Sequence, residues 1–307
     1  MRYICAQPAT LFYAWQVEVM INNFIKNGIN PNNIDIVCFK TDANVPTEWS
    51  KLANKYPARF FFYNDTRITK HYISSIRPNI LKQHFTAHPY LKDEVLFYHD
   101  SDIVFTRPVE HSIFEKDNIF YGSDTRFYIS HDYIKSKGED VLDLMCNIVG
   151  IDKELVKENE LNSIGAQYVL KNIDASFWEK VEIDSERLYR EVSALNSEKV
   201  KLDKDYHTLQ IWCADMWAVL WNIWKRGDKT KCEDSLEFSW ATSSLADWNK
   251  HSIFHNAGVT NSNQGLFYKA LYMNKLPYNE DLTIKEGTAS LKYWEEIQET
   301  AKITVLL

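Results

Sequence analysis

The sequence predicts an α/β fold in which a mostly parallel sheet is flanked by helices. Strand and helix signals alternate along the first half of the chain, and the strand signals are short apolar runs rich in β-branched and aromatic residues. The 307 residues, 45% of them hydrophobic, can supply a sizeable core. A repeated strand–helix–strand order makes neighbouring strands parallel and places helices on the faces of the sheet.

Four strands with helices between them are predicted in the first half. Segment 11–26 has apolar residues at helical spacing, and Gly28 follows it as a stop signal. Ligands of such sheets bind at the carboxyl ends of the strands, which places the loops after strands one, three and four on one rim. The predicted strands are 2–6, 34–39, 59–63 and the apolar stretch 95–105, and the predicted helices are 11–26, 47–55 and 76–88.

The second half is less regular but contains no repeat, low-complexity tract or linker. We therefore expect one domain over 1–307, made of a first half, 1–125, and a more helical second half, 126–307. Segment 161–167 breaks the helical pattern with Asn, Ser and Gly. The predicted strands here are 119–123 and 252–255, and the predicted helices are 132–149, 152–160, 175–194, 211–225 and an exposed helix at 289–302.

Composition limits the classes of partner. The net charge of −7 argues against nucleic acid as the main partner. No apolar run is long enough to span a bilayer, and the N-terminal residues are typical of a strand, not of a signal peptide. The five cysteines are odd in number and widely spaced, which fits reduced thiols in the cytoplasm better than a disulfide framework.

Two carboxylates, Asp100 and Asp102, interrupt the apolar stretch 94–108. Residues two apart point to the same side of an extended chain, so these carboxylates repel each other and lose hydration. A hard divalent cation removes that problem, because Mg²⁺ and Mn²⁺ take oxygen ligands and leave positions for phosphate oxygens. The alternative is a solvated Asp-Ser-Asp turn, which would not need apolar runs on both sides.

A late histidine is the third candidate metal ligand. His255 follows Ile253 and Phe254 and precedes a turn of small residues that ends at Gly258. Its imidazole nitrogen would suit Mn²⁺ better than Mg²⁺, because imidazole is the softer ligand. The alternative is a core histidine whose ring is hydrogen-bonded within the protein.

Asp215, Arg77 and Lys82 are further candidates. Asp215 lies in a strongly apolar segment, where a buried carboxylate needs a partner or a function. It can orient sugar hydroxyls or act as a general base, and the alternative is a helix N-cap. Arg77 and Lys82 are five residues apart on one predicted helix, where they can bind a diphosphate or ribose, or simply form a solvated face.

Two short segments complete the candidate site. Gln7 and Tyr13 follow the first strand, where they can hydrogen-bond and stack on a base, or simply pack. Gly165 and Ala166 are small enough to let a sugar approach the backbone, and Gln167 adds an amide. The alternative for this second segment is the N-terminal turn of a helix.

Taken in order, these motifs resemble the metal-dependent glycosyltransferases of the GT-A fold, the broad set with glycogenin-like and galactosyltransferase-like enzymes. The resemblance covers about residues 1–260. In that family a Lys follows soon after the glycine of the late histidine motif; here the nearest candidate is Lys269. The matching motifs are the turn Ala6-Gln7-Pro8 leading to Trp15, the pair Arg77 and Lys82, the strand with Asp100 and Asp102, the segments 161–168 and 214–219, and His255 before Gly258.

The resemblance implies a Rossmann-like GT-A fold in which residues 1–125 bind the nucleotide sugar and the helical half, 126–307, with its C-terminal helix, binds the acceptor. It also implies a transferase acting on hexosyl or pentosyl groups. The donor would be a nucleotide sugar, with a UDP-sugar favoured, and the acceptor a glycan, glycolipid or glycoprotein. Mn²⁺ or Mg²⁺ would bind Asp100, Asp102 and His255. The implied catalytic residues are Asp215 and Gln167, and the implied donor-binding residues are Ala6, Gln7, Tyr13, Arg77, Lys82, Asp100, Ser101, Gly165 and Ala166.

The stereochemistry and two other classes of protein stay open. The late histidine favours a retaining enzyme, whereas Asp215 as a base would imply inversion. A sugar nucleotidyltransferase would have a Gly-rich phosphate loop after the first strand, but residues 6–10 contain no glycine. A non-catalytic carbohydrate-binding protein would fit the ten Trp, 17 Tyr and 16 Phe, but it would not need two carboxylates and a histidine together.

Overall fold

A computed structural model describes residues 1–41 and 44–307, and these form a mixed α/β fold. Its larger sheet has seven strands, mostly parallel, and a smaller sheet has three. The predicted α/β class is therefore confirmed. The strands are β1 (Arg2–Pro8), β2 (Ile34–Phe39), β3 (Arg59–Tyr63), β4 (Leu96–Tyr98), β5 (Ile103–Phe105), β6 (Phe120–Asp124), β7 (Ile164–Leu170), β8 (Thr230–Cys232), β9 (Phe238–Trp240) and β10 (Ile253–His255).

The described chain forms two compact units, and their segments differ from the halves 1–125 and 126–307. The first unit comprises Met1–Asn64, Phe97–Ile113 and Asp234–Leu307, and the second comprises Asp65–Leu96 and Phe114–Glu233. A division of function between 1–125 and 126–307 stays a prediction. The helices are α1 (Leu11–Lys26), α2 (Thr47–Lys55), α3 (Ile76–Ala87), α4 (Arg126–Ile129), α5 (His131–Lys135), α6 (Glu139–Val149), α7 (Lys153–Glu158), α8 (Ala175–Leu202), α9 (Ala214–Lys225), α10 (Leu245–Lys250) and α11 (Ala289–Ala301).

The first unit contains the parallel order β3-β2-β1 that the sequence predicts. Tyr3 pairs with Ile34, and Asp35 pairs with Arg59, so the three strands run side by side in register. Strands β1 and β2 are almost entirely buried, as expected for strands covered on both faces. Helix α1 ends before Gly28, whose φ of +88° is a conformation that favours glycine.

The smaller sheet corrects one prediction about the apolar stretch 95–105. That stretch is not one strand but two, β4 in the larger sheet and β5 in the smaller one, with a turn between them. Charged side chains cannot continue a ladder buried on both faces, so the chain turns at Asp100 and Asp102 and re-enters the core as β5. Strand β5 then pairs antiparallel with β10, and β10 pairs parallel with β9.

The second unit is built on the strand order β7-β6-β8 with α8 packed against α3 and α9. Segment 161–167, expected to break the pattern, instead enters β7, which pairs antiparallel with β6. The pairing jumps between Gly122 and Ser123 in a β-bulge, and Ala166 takes a positive φ of 60° there. A bulge disrupts the alternation of side chains between the two faces of the sheet. The sequence of β7 therefore lacks the regular two-residue period that predicts a strand.

Three helix predictions need adjustment. The predicted helix 132–149 is split into α5 and α6 at Gly138, whose φ is +136°. Helix α8 begins after its N-cap Asp174, whose carboxylate accepts from two backbone N–H groups, and it continues to Leu202. The last helix, α11, is not simply exposed, because it buries one face that includes Tyr293 and Ile297. In the part of the chain that the structure describes, no helix has the length and apolarity needed to cross a bilayer.

Candidate metal and sugar site

Asp100, Asp102 and His255 form one cluster in the first unit. Each offers a ligand atom, and these atoms all lie within 4.8 Å of one another. His255 Nε2 is 3.3 Å from Asp102 Oδ1 and 3.5 Å from Asp100 Oδ2. The structure thus brings together all three residues predicted as metal ligands.

Strand pairing explains how residues so far apart in sequence meet. In the antiparallel pair of β5 and β10, His255 lies opposite Ile103, the residue after Asp102. The backbone N–H of Asn256 donates to the Asp102 carbonyl oxygen at 2.9 Å, which extends the pairing by one step into the turn. The register of the smaller sheet therefore fixes the imidazole beside the two carboxylates.

Two aromatic rings hold the His255 ring in place. Trp240 lies nearly parallel to it, with ring centroids 6.0 Å apart and planes 17° apart, and the centroid of Phe238 is 5.5 Å away. The Nδ1 atom is buried and has no hydrogen-bond partner among the described residues. The ring is thus positioned by stacking and by the contact of Nε2 with Asp102, and Nε2 faces both carboxylates.

Lys269 provides a fixed positive charge in the same cluster. Its Nζ pairs with Asp102 Oδ2, on the other side of the carboxylate from His255. Burial alone would raise the pKa of Asp102, but Lys269 and His255 outweigh burial and hold that pKa well below its usual range. Burial would likewise lower the pKa of Lys269, but its attraction to Asp102 raises it instead. The pair is therefore fully ionised at neutral pH.

His99 is hydrogen-bonded to the backbone of the turn that contains Asp100 and Asp102. Its Nδ1 lies 2.8 Å from the Asp100 carbonyl oxygen, and because a carbonyl only accepts, Nδ1 carries the hydrogen. Burial lowers the pKa of His99 to about 4, so the ring is neutral at neutral pH. Its ring stacks on Phe97 with centroids 5.3 Å apart. Ser101, at the centre of the turn, is buried.

The donor set fits a divalent metal ion. It offers two carboxylates and one imidazole, which is a combination that suits Mn²⁺. Asp102 is buried, with a side chain only 7% exposed, yet it stays ionised. A buried carboxylate with a second, partly exposed carboxylate beside it needs positive charge nearby, and the ammonium of Lys269 meets only part of that need.

Asp215 and Arg77 form an ion pair in the second unit. A terminal nitrogen of Arg77 contacts Asp215 Oδ2, and the Tyr72 hydroxyl lies 2.7 Å from Asp215 Oδ1. Burial and the nearby Asp215 raise the pKa of Tyr72, so its hydroxyl stays protonated. Lys82 instead pairs with Glu182 at 2.9 Å. Residues five apart lie about 140° apart around a helix axis, which explains the separate partners.

The segment with Gly165, Ala166 and Gln167 lies in β7. A side-chain carbon at Gly165 would come within 2.8 Å of Thr125 and Met216, so glycine is required there by packing. Gln167 is fully buried and accepts from the Ser123 hydroxyl at 2.6 Å. Its amide nitrogen is buried and has no partner among the residues that the structure describes.

The remaining predicted donor-binding residues lie in the first unit. Ala6 and Gln7 are in β1, and both are buried. The Gln7 amide nitrogen lies 3.4 Å from the Val37 carbonyl oxygen, so this side chain turns towards the neighbouring strand. Tyr13, on α1, is half-buried. It is close enough to Lys269 to contribute to the raised pKa of that ammonium.

The sequence reasoning missed two residues that organise these clusters. Trp240 stacks on His255, and Tyr72 joins Asp215 to the Trp212 carbonyl oxygen, 2.6 Å from its hydroxyl. Trp240 precedes the histidine motif by a whole helix, and Tyr72 precedes α3 in a segment without a periodic pattern. Neither position has a local sequence signal.

Comparison with known proteins gives similarity in structure only. No protein-family model and no curated protein matches the sequence. The bifunctional glycosyltransferase WbbM, in its apo form, matches with a TM-score of 0.51 and 10% identity, covering 99% of this chain and 50% of that one. The chain thus spans about half the length of WbbM. This likeness shows that the chain shares its fold with a solved glycosyltransferase, as the resemblance implied.

Two further structures match with lower scores. The galactosyltransferase LgtC, in complex with donor and acceptor sugar analogues, has a TM-score of 0.44 and 13% identity, covering 99% of this chain and 96% of that one. The apo form of the glycosyltransferase GlyE from Streptococcus pneumoniae TIGR4 has a TM-score of 0.44 and 12% identity, covering 99% and 61%. The function of this chain must be argued from its own residues.

Proposed function

We propose that this protein is a glycosyltransferase that moves a sugar from a nucleotide-sugar donor to a carbohydrate-bearing acceptor and depends on a divalent metal ion. The observation that carries the proposal is the cluster of Asp100, Asp102 and His255. A fold shared with WbbM supports the proposal. Because one fold can host many activities, the proposed activity rests on the residues of the site. A UDP-sugar is the favoured donor, and a glycan, glycolipid or glycoprotein the favoured acceptor.

The chemistry of glycosyl transfer explains why such a cluster is useful. Negative charge develops on the departing diphosphate, and fixed positive charge lowers the energy of that transition state. Mn²⁺ or Mg²⁺ held by Asp100, Asp102 and His255 would supply such charge when bound. Lys269 is already ionised beside Asp102, so its ammonium is a second source of positive charge for diphosphate oxygens.

We assign an acceptor role to the ion pair of the second unit. Both oxygens of Asp215 are engaged, one by Tyr72 and one by Arg77, so neither faces an acceptor proton without a partner already bound. We therefore propose that Asp215 and Arg77 orient sugar hydroxyls. This role favours a retaining reaction, which needs no strong base on the acceptor.

The experiment is a panel of UDP-glucose, UDP-galactose, UDP-N-acetylglucosamine and GDP-mannose, each with Mn²⁺, Mg²⁺ or excess EDTA. Thermal shift and donor hydrolysis are measured together. We expect stabilisation and slow hydrolysis with at least one donor, both abolished by EDTA. Asp102→Asn should abolish both with the circular dichroism spectrum unchanged, whereas Asp93→Asn, an exposed aspartate outside the cluster, should leave both unchanged.

Two other classes of protein are distinguished when the panel is extended with UDP alone and with UTP plus glucose 1-phosphate. A carbohydrate-binding protein would show no metal-dependent affinity for any nucleoside diphosphate. A sugar nucleotidyltransferase would release pyrophosphate from a nucleoside triphosphate and a sugar phosphate. Full donor turnover in excess EDTA would remove the metal from the proposal.

A further inference from the structure

One exposed aromatic surface has no role so far. Trp212 is 58% exposed and Phe127 is 71% exposed, both in the second unit. Of the ten tryptophans, all within the described part of the chain, only Trp212 is in the exposed class. Leaving so large an apolar ring in water forgoes the stabilisation that burial would give, so the exposure needs a reason.

The two exposed rings are joined by the ring of Tyr128, which is only 7% exposed. Trp212 and Tyr128 lie nearly parallel, with centroids 6.2 Å apart and planes 17° apart. Phe127 meets Tyr128 edge to face, with centroids 4.5 Å apart. We call these three rings the aromatic platform.

The backbone beneath the aromatic platform is held on several sides. The Tyr72 hydroxyl lies 2.6 Å from the Trp212 carbonyl oxygen, and the Asn196 amide brackets Leu209 with contacts of 3.1 and 3.3 Å. On the other side, Trp217 Nε1 donates to the Ile129 carbonyl oxygen at 2.9 Å and fixes α4. A surface anchored in this way binds with little loss of conformational entropy.

Polar groups next to the platform indicate what occupies it. The Tyr72 hydroxyl contacts the backbone carbonyl oxygen of Trp212 and the carboxylate of Asp215, and Asp215 is paired with Arg77. A pyranose ring has an apolar C–H face, which stacks on aromatic rings, and hydroxyls at its edge, which need charged or polar partners. The exposed rings supply the first feature, and the partly exposed side chain of Arg77, paired with the buried Asp215, supplies the second.

We infer that the exposed rings of Trp212 and Phe127, joined by the buried ring of Tyr128, form the stacking surface for a sugar ring of the acceptor. The inference rests on the proposed function and deepens it, because it makes the acceptor a carbohydrate recognised through the face of a pyranose. A lipid or peptide carrier alone would leave the hydroxyl-binding groups beside Trp212 without a use.

The test is saturation-transfer NMR on the whole chain with lactose, methyl β-glucopyranoside and N-acetylglucosamine as probes. UDP binding with Mn²⁺ is measured in parallel by calorimetry. We expect at least one probe to bind, Trp212→Ala to weaken it about tenfold and Trp212→Phe to weaken it less, since stacking is then partly kept. Tyr90→Ala, a matched exposed aromatic, should change nothing, and UDP affinity should be unaltered in all three variants.

The outcomes separate the inference from the proposed function. No probe bound by the wild type, or equal affinity in Trp212→Ala, overturns the inference while UDP binding preserves the proposed function. A loss of sugar binding in Trp212→Ala without any UDP binding supports the platform and overturns the transferase. A change of oligomeric mass in Trp212→Ala by light scattering, with sugar affinity intact, makes the surface an interface between copies and also overturns the inference.

Discussion

At the scale of single residues, the cluster of Asp100, Asp102 and His255 holds an ionised carboxylate where water is largely excluded. Asp102 is buried and stays ionised because Lys269 and His255 lie on opposite sides of its carboxylate. His255 has no other polar partner for its ring among the described residues, and two aromatic rings fix its plane. Its Nε2 contacts the two carboxylates, which places that nitrogen where an ion bound by both would be.

The first prediction concerns His255. Replacing His255 by Ala should raise the dissociation constant for Mn²⁺ about tenfold or more, because a cluster of three ligands loses its nitrogen. The measurement is a titration of Mn²⁺ followed by the electron paramagnetic resonance of the unbound ion. It needs no substrate and no activity.

A second histidine in the same segment gives the matched control. His251 lies four residues before His255 and outside the cluster, so His251→Ala should keep wild-type Mn²⁺ affinity. An unchanged Mn²⁺ affinity in His255→Ala, together with a large loss of metal-free stability, would instead identify a core histidine.

Local patterns made these residues predictable, and three-dimensional context made others invisible. Asp100, Asp102 and His255 each interrupt or end an apolar run, so each contradicts its surroundings and attracts notice. Trp240 does not contradict its surroundings, because a tryptophan in a short strand is ordinary. Its role comes from the register of β9 and β10, which a single sequence does not encode in any local pattern.

At the scale of elements, the strand that follows the turn with Asp100 and Asp102 is hydrogen-bonded to a helix outside the cluster. Asn23 of α1 is buried, and its amide forms two hydrogen bonds with the backbone of Phe105 in β5. The Phe105 N–H donates to Asn23 Oδ1 at 2.7 Å, and Asn23 Nδ2 donates to the Phe105 carbonyl oxygen at 3.0 Å. The Asn23 side chain thus satisfies both backbone polar groups of Phe105 at the edge of β5.

The second prediction concerns these two hydrogen bonds between Asn23 and Phe105. Asn23→Ala should lower the free energy of unfolding by about 2 kcal/mol, because a buried N–H group loses its partner. Urea denaturation followed by tryptophan fluorescence measures the change. Mn²⁺ affinity should also fall, because β5 begins one residue after Asp102.

Asn27 offers a control on the same helix. Its amide also donates to the Phe105 carbonyl oxygen, at 3.2 Å, but it is half-buried and leaves the N–H bond to Asn23 in place. Asn27→Ala should therefore cost less than half as much. Equal losses in the two variants would show that the Phe105 N–H bond is unimportant.

Elements were predictable where the side-chain period is regular. The three parallel strands β1, β2 and β3 and helix α1 follow plain apolar patterns and appear as expected. Strand β7 was missed because the bulge at Gly122 and Ser123 shifts its pairing. The split between β4 and β5 was missed because apolar residues on both sides of a turn resemble a single run.

At the scale of the whole molecule, fold and activity rest on different evidence. The shared fold with WbbM comes with 10% identity, so it describes the arrangement of helices and strands and no residue role. The proposed activity rests on a few side chains in the first unit and a few in the second. Each set is testable by itself, because each unit has its own buried core.

The cysteines are distributed over both units, and none of the five, all in the described part of the chain, is in a disulfide. Burial raises the pKa of the Cys5, Cys38 and Cys213 thiols and raises that of Cys146 to about 11. Cys232, in the short strand β8, is only half-buried. The thiolate is the reactive form, so both access and protonation protect the four buried thiols.

The third prediction follows from this protection. Ellman's reagent at pH 8 should label a single thiol of the native chain quickly and all five after denaturation, because only Cys232 is within reach of solvent. Cys232→Ser should remove the fast phase and leave four thiols that react only as the chain unfolds. Cys5 and Cys38 report on the first unit and Cys146 and Cys213 on the second, so mass spectrometry of the labelled peptides gives the order in which the two cores open. Rapid labelling of any of these four in the native protein would contradict the burial that the structure assigns to them.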